Sequence, residues 1–258
     1  MKISALILAR NEEKFIEDAL TQLDFADEII VLDQGSEDKT LKIAKKYTDK
    51  VFVYNNQSFD QARNLLAAKA KGDWLLYVDA DERLSPDLIE EINQACQNDQ
   101  YAAFYFARKN IVLGKWLKHG GWWPDYVPRL FKKNKLQNWH GHVHESPEVD
   151  GEFGYLETPL NHLTATSLEK MLAKTIRWAQ TEAQLSFKAN HPSVTIFKVI
   201  KAFFSEFINR YIIKAGFLDG TVGLIEAIFQ GLHRCAKLTY LWELQNDTGE
   251  KLQKAQDV

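Results

Sequence analysis

Asp79-Ala80-Asp81 places two carboxylates two residues apart, directly after the apolar run Trp74-Leu75-Leu76-Tyr77-Val78. Such a pair suits a hard divalent cation that also takes phosphate oxygens, and a cation held there would neutralise a departing diphosphate. Two further polar clusters follow apolar runs in the same way: Ala9-Arg10-Asn11-Glu12 after residues 3–8, and Asp33-Gln34-Gly35-Ser36-Glu37-Asp38 after residues 28–32. A single Asp at a strand end serves equally well as a helix cap, and Asp38 is read that way. Three clusters at successive strand ends exceed what capping requires, and strand ends are where open α/β sheets bind ligands. A separate constellation, His140-Gly141-His142-Val143-His144-Glu145, would put its three histidines on one side of a strand and Glu145 on the other. Alternating histidines can hold zinc, but no second motif with recognised ligand spacing accompanies them. His162 either completes a metal site or caps a loop; both readings stand.

These residues need a scaffold, and the first hundred positions supply one. Residues 3–8, 28–32, 50–54 and 74–78 are short runs rich in Val, Ile and Leu. Helical periodicities separate them: Phe15, Ile16, Ala19, Leu20 and Leu23 share one face, and Ala62, Leu65, Leu66 and Ala70 another. Ser85-Pro86 opens a further helix as N-cap and first helical residue. Near-continuously apolar strands alternating with helices imply an α/β fold with a mostly parallel sheet covered on both faces. Beyond residue 100 the pattern changes. Residues 101–108 and 126–131 read as strands around an aromatic, Gly-rich stretch containing Trp116, Trp122 and Trp123, which is either core or a shaped loop whose rings stack on sugars. From about residue 167 the chain reads as helical, with 168–185, 194–213 and 221–244 as the main segments. Lys198, Lys201, Arg210, Lys214, Arg234 and Lys237 lie there among Phe203, Phe204, Phe207, Ile212, Ile213, Phe217 and Phe229. That mixture suits an interfacial helix on an anionic leaflet, or a helix pair with solvated lysines.

Composition narrows the classes. The 258 residues are 45% hydrophobic and 26% charged, with a net charge of -3, which argues against disorder and against a strongly basic nucleic-acid binder. Two cysteines, Cys96 and Cys235, exclude a disulfide scaffold or zinc ribbon and fit a reduced compartment. The start of the chain does not read as a signal peptide, and no window reaches 18 uncharged apolar residues, so no membrane span is expected.

The ordered set of motifs resembles family 2 glycosyltransferases. The resemblance is carried by residues 4–13, by Val31-Leu32-Asp33-Gln34-Gly35-Ser36-Glu37-Asp38-Lys39-Thr40, by Gln61-Ala62-Arg63-Asn64, and by Gly72-Asp73-Trp74 through Asp81-Glu82. Residues 124–131, His142-Val143-His144-Glu145 and Gly216-Phe217-Leu218-Asp219-Gly220 extend it toward the lipopolysaccharide-core β-1,4-glucosyltransferase branch. One departure is Leu32-Asp33-Gln34, where many members carry two adjacent aspartates. The resemblance implies a GT-A fold: a catalytic domain over 1–165, its nucleotide-sugar half at 1–100 and acceptor half at 101–165, followed by a helical region at 166–258. It implies an inverting transfer of a hexose, glucose above all, from a nucleotide sugar, UDP-linked, to a cell-surface glycan or lipid-linked acceptor. It also implies a divalent metal, Mn2+ or Mg2+. Ala9, Arg10, Asn11, Glu12, Asp33, Gln61, Arg63, Asn64, Asp79 and Ala80 are the expected nucleotide-sugar residues. Asp33 would accept from the base edge, Arg63 would approach the diphosphate, Asp81 would hold the metal directly with His162, and Asp79 would contact either the ribose or the metal. Glu145, with Asp125 as competitor, is the expected general base. The implied location is cytoplasmic, with peripheral contact at the inner face of the membrane and no nucleic-acid partner. A sugar nucleotidyltransferase would need a Gly-rich basic loop early, where Arg10-Asn11-Glu12-Glu13 has no glycine and two acids. A non-catalytic nucleotide- or glycan-binding module is disfavoured by the joint presence of Asp33, Arg63, Asp79 and Asp81.

Overall fold

The apolar runs become strands whose neighbours are set by parallel pairing. In the computed structural model, which describes residues 1–55, 58–141 and 145–246, β1 (Ile3–Ala9) pairs in parallel with β2 (Glu28–Asp33) and β4 (Trp74–Tyr77), and β2 pairs with β3 (Val51–Val53). Every residue of β4 and all but Leu8 of β1 are buried, as expected of strands covered on both faces. Each fully buried Leu or Ile there is worth about 1.5–3 kcal/mol. The covering helices are α1 (Ile16–Thr21), α2 (Thr40–Ala44), α3 (Phe59–Lys69) and α4 (Pro86–Cys96). Ser85 caps α4 as its sequence implies: its hydroxyl accepts from the Leu88 amide at 3.2 Å, and Pro86 follows. Asp38 does not cap through the usual geometry. Its two oxygens accept from the Thr40 and Glu13 amides, so it ties the start of α2 to the loop after β1.

Antiparallel strands extend the sheet beyond β4. The order is β3-β2-β1-β4-β8-β6-β11-β5, with β5 (Glu82–Arg83), β6 (Ala103–Val112), β8 (Tyr126–Lys132) and β11 (Phe153–Ala165); β7 (Lys115–Trp116) pairs with the end of β6. A separate hairpin joins β9 (Leu136–His140) to β10 (Ser146–Val149). Two residues of β5 therefore bring the end of the Asp79–Asp81 turn onto β11, pairing His162 with Glu82 and Asn161 with Arg83.

The chain divides into two compact units. The first comprises residues 1–110 and 124–163; the second comprises 111–123 and 164–258, so the Trp- and Gly-rich segment belongs with the helices rather than with the 101–165 stretch. The second unit contains α5 (Leu168–Lys188), α6 (Ile196–Ile208), a π-helical turn at Asn209–Ile213, a 3-10 turn at Gly216–Asp219, and α7 (Gly220–Asn246). Asp219 fastens the aromatic segment to these helices, accepting from the Lys118 and His119 amides at 3.0 and 2.8 Å. Trp116 and Trp123 meet edge to face within that segment. Trp139, by contrast, is core: it is buried in the first unit against Tyr77 and Phe131.

Candidate active site

All of the site residues that can be described lie in the first unit, several of them at the ends of its strands. After β1 and β2 the two loops are laced together. Ala9 accepts from the Gln34 amide, Asn11 accepts from Glu37 and donates its own amide to the Ser36 hydroxyl, and Glu12 donates to Thr40. Asn11 has φ 56°, a left-handed conformation that asparagine tolerates better than most residues. Arg10 is exposed. Asp33 is buried at the centre of this arrangement. Its Oδ1 accepts from the Gly35 and Ser36 amides at 3.0 and 2.9 Å, while its Oδ2 is buried with no hydrogen-bond partner. Gly35 is required here: φ is 82°, and a Cβ would lie 2.6 Å from Asn55 Oδ1. A buried carboxylate oxygen without a donor is costly, so this atom is the place where a ligand N–H is worth most.

The Asp79–Glu82 turn holds a second cluster. The Asp79 amide donates to Glu82 Oε2 at 2.9 Å, and Glu82 has no exposed surface. Arg129, reaching in from β8, pairs with both Asp79 and Glu82 and is itself buried. Burial alone would raise the Asp79 carboxyl, but the Arg129 guanidinium, helped by Arg63, holds it well below the usual carboxylate range. Burial pushes Glu82 up against the pull of Arg129, and the neighbouring Asp79 charge adds to that rise. Ala80 is buried between the two aspartates.

Asp81 faces a different partner. Its Oδ2 lies 3.3 Å from His162 Nε2. The hydrogen on the other ring nitrogen follows from the contacts made there. The Asp125 carboxylate can only accept, so the Asn110 amide group 2.9 Å away presents its nitrogen there. The Asn110 oxygen must then face His162 Nδ1, at 2.7 Å, and Nδ1 carries the proton. Asp81 Oδ2 and His162 Nε2 thus lie side by side, an oxygen and a ring nitrogen that could both ligate a cation. An oxygen–nitrogen donor pair of this kind fits Mn2+, with diphosphate oxygens or water supplying the remaining positions. Among the described residues there is no cluster of three or more His, Cys, Asp or Glu side chains able to hold a metal without such help.

The two base candidates sit on either side. Three donor contacts, from Arg108 Nε and Nη2 and from Asn110, converge on Asp125 Oδ2 at 2.8–2.9 Å. Asp125 thus orients the Asn110–His162 pair. Glu145 Oε1 accepts from Arg63 Nε at 3.0 Å, and Arg63 also lies 3.6 Å from Asp79. Arg63 is buried. Its guanidinium packs on the rings of Trp139 and Tyr77, at 4.9 and 5.4 Å from their centroids. Asn64 spends its amide on the backbone of Trp139, donating at 2.9 Å and accepting at 2.8 Å, and so fixes the β9 end of the hairpin to α3. Gln61 is exposed at the start of α3. Of the histidine cluster, His140 is exposed beside Glu148, while His142 and His144 lie outside the described residues. Arg129, Glu82, Asn110 and Arg108 have roles that motif reading did not assign. The signal that could have found Glu82 is its spacing, a third carboxylate one residue after Asp81.

The family model for glycosyl transferase family 2 matches residues 4–149. A mixed sheet carrying its polar residues at strand ends and this match define the class, a GT-A glycosyltransferase; the chain belongs to glycosyl transferase family 2. A glycosyltransferase of Rickettsia bellii is 29% identical over 94% of this chain and 87% of its own. A lipopolysaccharide core biosynthesis glycosyltransferase of Rhizobium meliloti is 24% identical over 71% of each chain. Among solved structures, glucosyl-3-phosphoglycerate synthase from Mycobacterium tuberculosis, in complex with Mn2+, uridine diphosphate and glucosyl-3-phosphoglycerate, matches at a TM-score of 0.37 and 24% identity. That match covers 42% of this chain and 44% of the synthase, so this chain spans less than half of it.

Proposed function

We propose that this chain is an inverting, metal-dependent hexosyltransferase that takes glucose from a UDP-linked donor and passes it to a cell-surface glycan or lipid-linked acceptor of the lipopolysaccharide-core kind. The observation that carries the donor half is the buried, partnerless Oδ2 of Asp33 at the end of β2. An oxygen that only accepts, held rigid by two amides on its twin, selects a ring N–H such as that on a pyrimidine base edge. The loops joined through Asn11 and Ser36 would wall that base.

Asp81 and His162 would hold the divalent cation, with Asp79 beside them; once bound, it supplies charge neutralisation for the departing diphosphate. Asp79 is already balanced by Arg129 and Arg63, so its part is to orient the ribose and diphosphate. Glu145 would take the acceptor hydroxyl's proton as the sugar carbon is attacked, with Arg63 fixing the carboxylate's position. The acceptor assignment draws on the Rhizobium meliloti relative.

Calorimetric titration with UDP in the presence of Mn2+ tests the donor reading. Asp33→Ala is expected to weaken binding by about 1–3 kcal/mol, roughly 5- to 150-fold, with the thermal melting of the protein monitored alongside. An unchanged Kd in a folded variant would refute the Asp33 role. A panel of nucleotide sugars, read by nucleoside diphosphate release, then tests glucose and uridine against their alternatives.

A further inference from the structure

We propose that the outer face of α6 and of the two turns after it is a docking surface for an anionic lipid bilayer. Five large apolar side chains on α6, Ile196, Phe197, Ile200, Phe204 and Ile208, are 46–80% exposed. At 3.6 residues per turn they fall within an arc of roughly 120°. Ile212, Ile213, Phe217 and Leu218 continue the exposed apolar surface along the chain.

The helix cannot turn this stripe inward. An adjacent side packs on α7, where Gly231 admits the Phe203 ring so closely that a Cβ would lie 3.0 Å from ring carbons. Phe203 stacks on Phe207 and Phe207 on Tyr211, a row of half-buried rings along one edge of the stripe.

Charge selects the occupant. Between residues 195 and 218 the chain carries Lys198, Lys201, Arg210 and Lys214 against a single acid, Glu206. Glu206 is turned away from solvent and engaged by Arg210 and Arg234 at 2.8 and 3.5 Å. Lys198, Lys201 and Lys214 remain exposed, and Lys201 lies at the edge of the stripe. A second copy of this face would bring lysines to lysines and offer no carboxylate to meet them. A leaflet rich in anionic headgroups answers both the apolar stripe and its basic border.

Length fixes the mode of contact. The 13 residues of α6 span about 20 Å, short of the roughly 30 Å hydrocarbon core. Among the described residues no helix is long and apolar enough to cross a membrane. The helix would therefore lie in the plane of the headgroups.

Flotation of the full chain with vesicles tests this without reference to sugar transfer. Vesicles of phosphatidylcholine alone are compared with vesicles of phosphatidylcholine and phosphatidylglycerol in equal parts, at low and high salt. The expected result is flotation with the mixed vesicles, reduced by salt. Phe197→Ser with Phe204→Ser should cut the bound-to-free ratio about 10-fold or more. Lys198→Glu with Lys201→Glu should do the same on the anionic vesicles alone. Both pairs are exposed, so melting temperatures should stay near wild type. Failure of the wild-type chain to float with the mixed vesicles would overturn the proposal, as would unchanged flotation of the Phe197/Phe204 variant. A concentration-dependent dimer abolished by that same variant would assign the face to a second copy instead.

Discussion

Removing Arg129 should expose how the site keeps two carboxylates side by side. Arg129 is 4% exposed and Glu82 fully buried, so Arg129→Met leaves the Glu82 charge in the interior without its counter-cation. Asp79 suffers less, because its side chain is a third exposed and Arg63 remains 3.6 Å away. Breaking a buried pair from one side costs about 3–5 kcal/mol. With a urea dependence of about 2–3 kcal/mol per molar, the unfolding midpoint should fall by about 1–2 M. The assay is urea unfolding followed by tryptophan fluorescence, since Trp74 and Trp139 are both buried in the unit that carries the pair. The pH dependence has a definite sign. Burial already raises Glu82 in the intact protein, and without Arg129 it rises further. A carboxyl whose folded value exceeds its unfolded one binds more protons when folded, so the variant's deficit should be largest near pH 8 and shrink toward pH 5. Adding Glu82→Gln to Arg129→Met removes the orphaned charge and should recover about 2–3 kcal/mol at pH 8. A single variant that unfolds at the wild-type urea concentration, or a double variant as unstable as the single one, would refute this account.

Two other outcomes follow from the same geometry. Asp81→Asn should lower transfer by about 10²-fold or more, with Mn2+ stimulation lost and the fold intact; transfer at the wild-type rate would remove Asp81 from the metal site. Glu145→Gln should reduce transfer by roughly 10²–10⁴-fold while leaving UDP affinity unchanged, and Asp125→Asn in parallel decides between the two carboxylates, since retained transfer in the Glu145 variant with loss in the Asp125 variant exchanges their roles.

The parallel half of the sheet was legible because its strands advertise themselves. A strand buried on both faces must be apolar throughout, and residues 3–9, 28–33 and 74–77 are nearly so. The antiparallel half was not. The 13-residue strand β11 contains Gly154 and Pro159, which read as a loop; Gly154 is there because the Phe104 ring occupies the space a Cβ would need, 2.6 Å away. The two residues of β5 carry no pattern at all, and they form a strand only because β11 arrives beside them from some 80 positions along the chain. Long-range pairing also decides that residues 111–123 go with the helices, through the buried Asp219, which local composition does not announce.

The site shows the same division between what spacing announces and what packing assigns. Asp33, Asp79 and Asp81 stand out in sequence because polar residues at strand ends are few and ordered. Spacing alone does not separate Asp79 from Asp81; their partners in the fold do. Asp79 points to two buried arginines, one from β8 and one from α3, and its charge is met from within the protein. Asp81 points to an imidazole whose tautomer is dictated two hydrogen bonds away by Asp125. Under the proposed function this asymmetry separates two tasks that a bare pair of carboxylates would confuse. A carboxylate already neutralised by guanidinium can lie close to a diphosphate without repelling it. A carboxylate beside a ring nitrogen offers an added cation two ligands at once. The positions of Arg129, Arg63 and Asn110 therefore decide which aspartate serves which purpose, and none of the three is adjacent in sequence to the residue it governs.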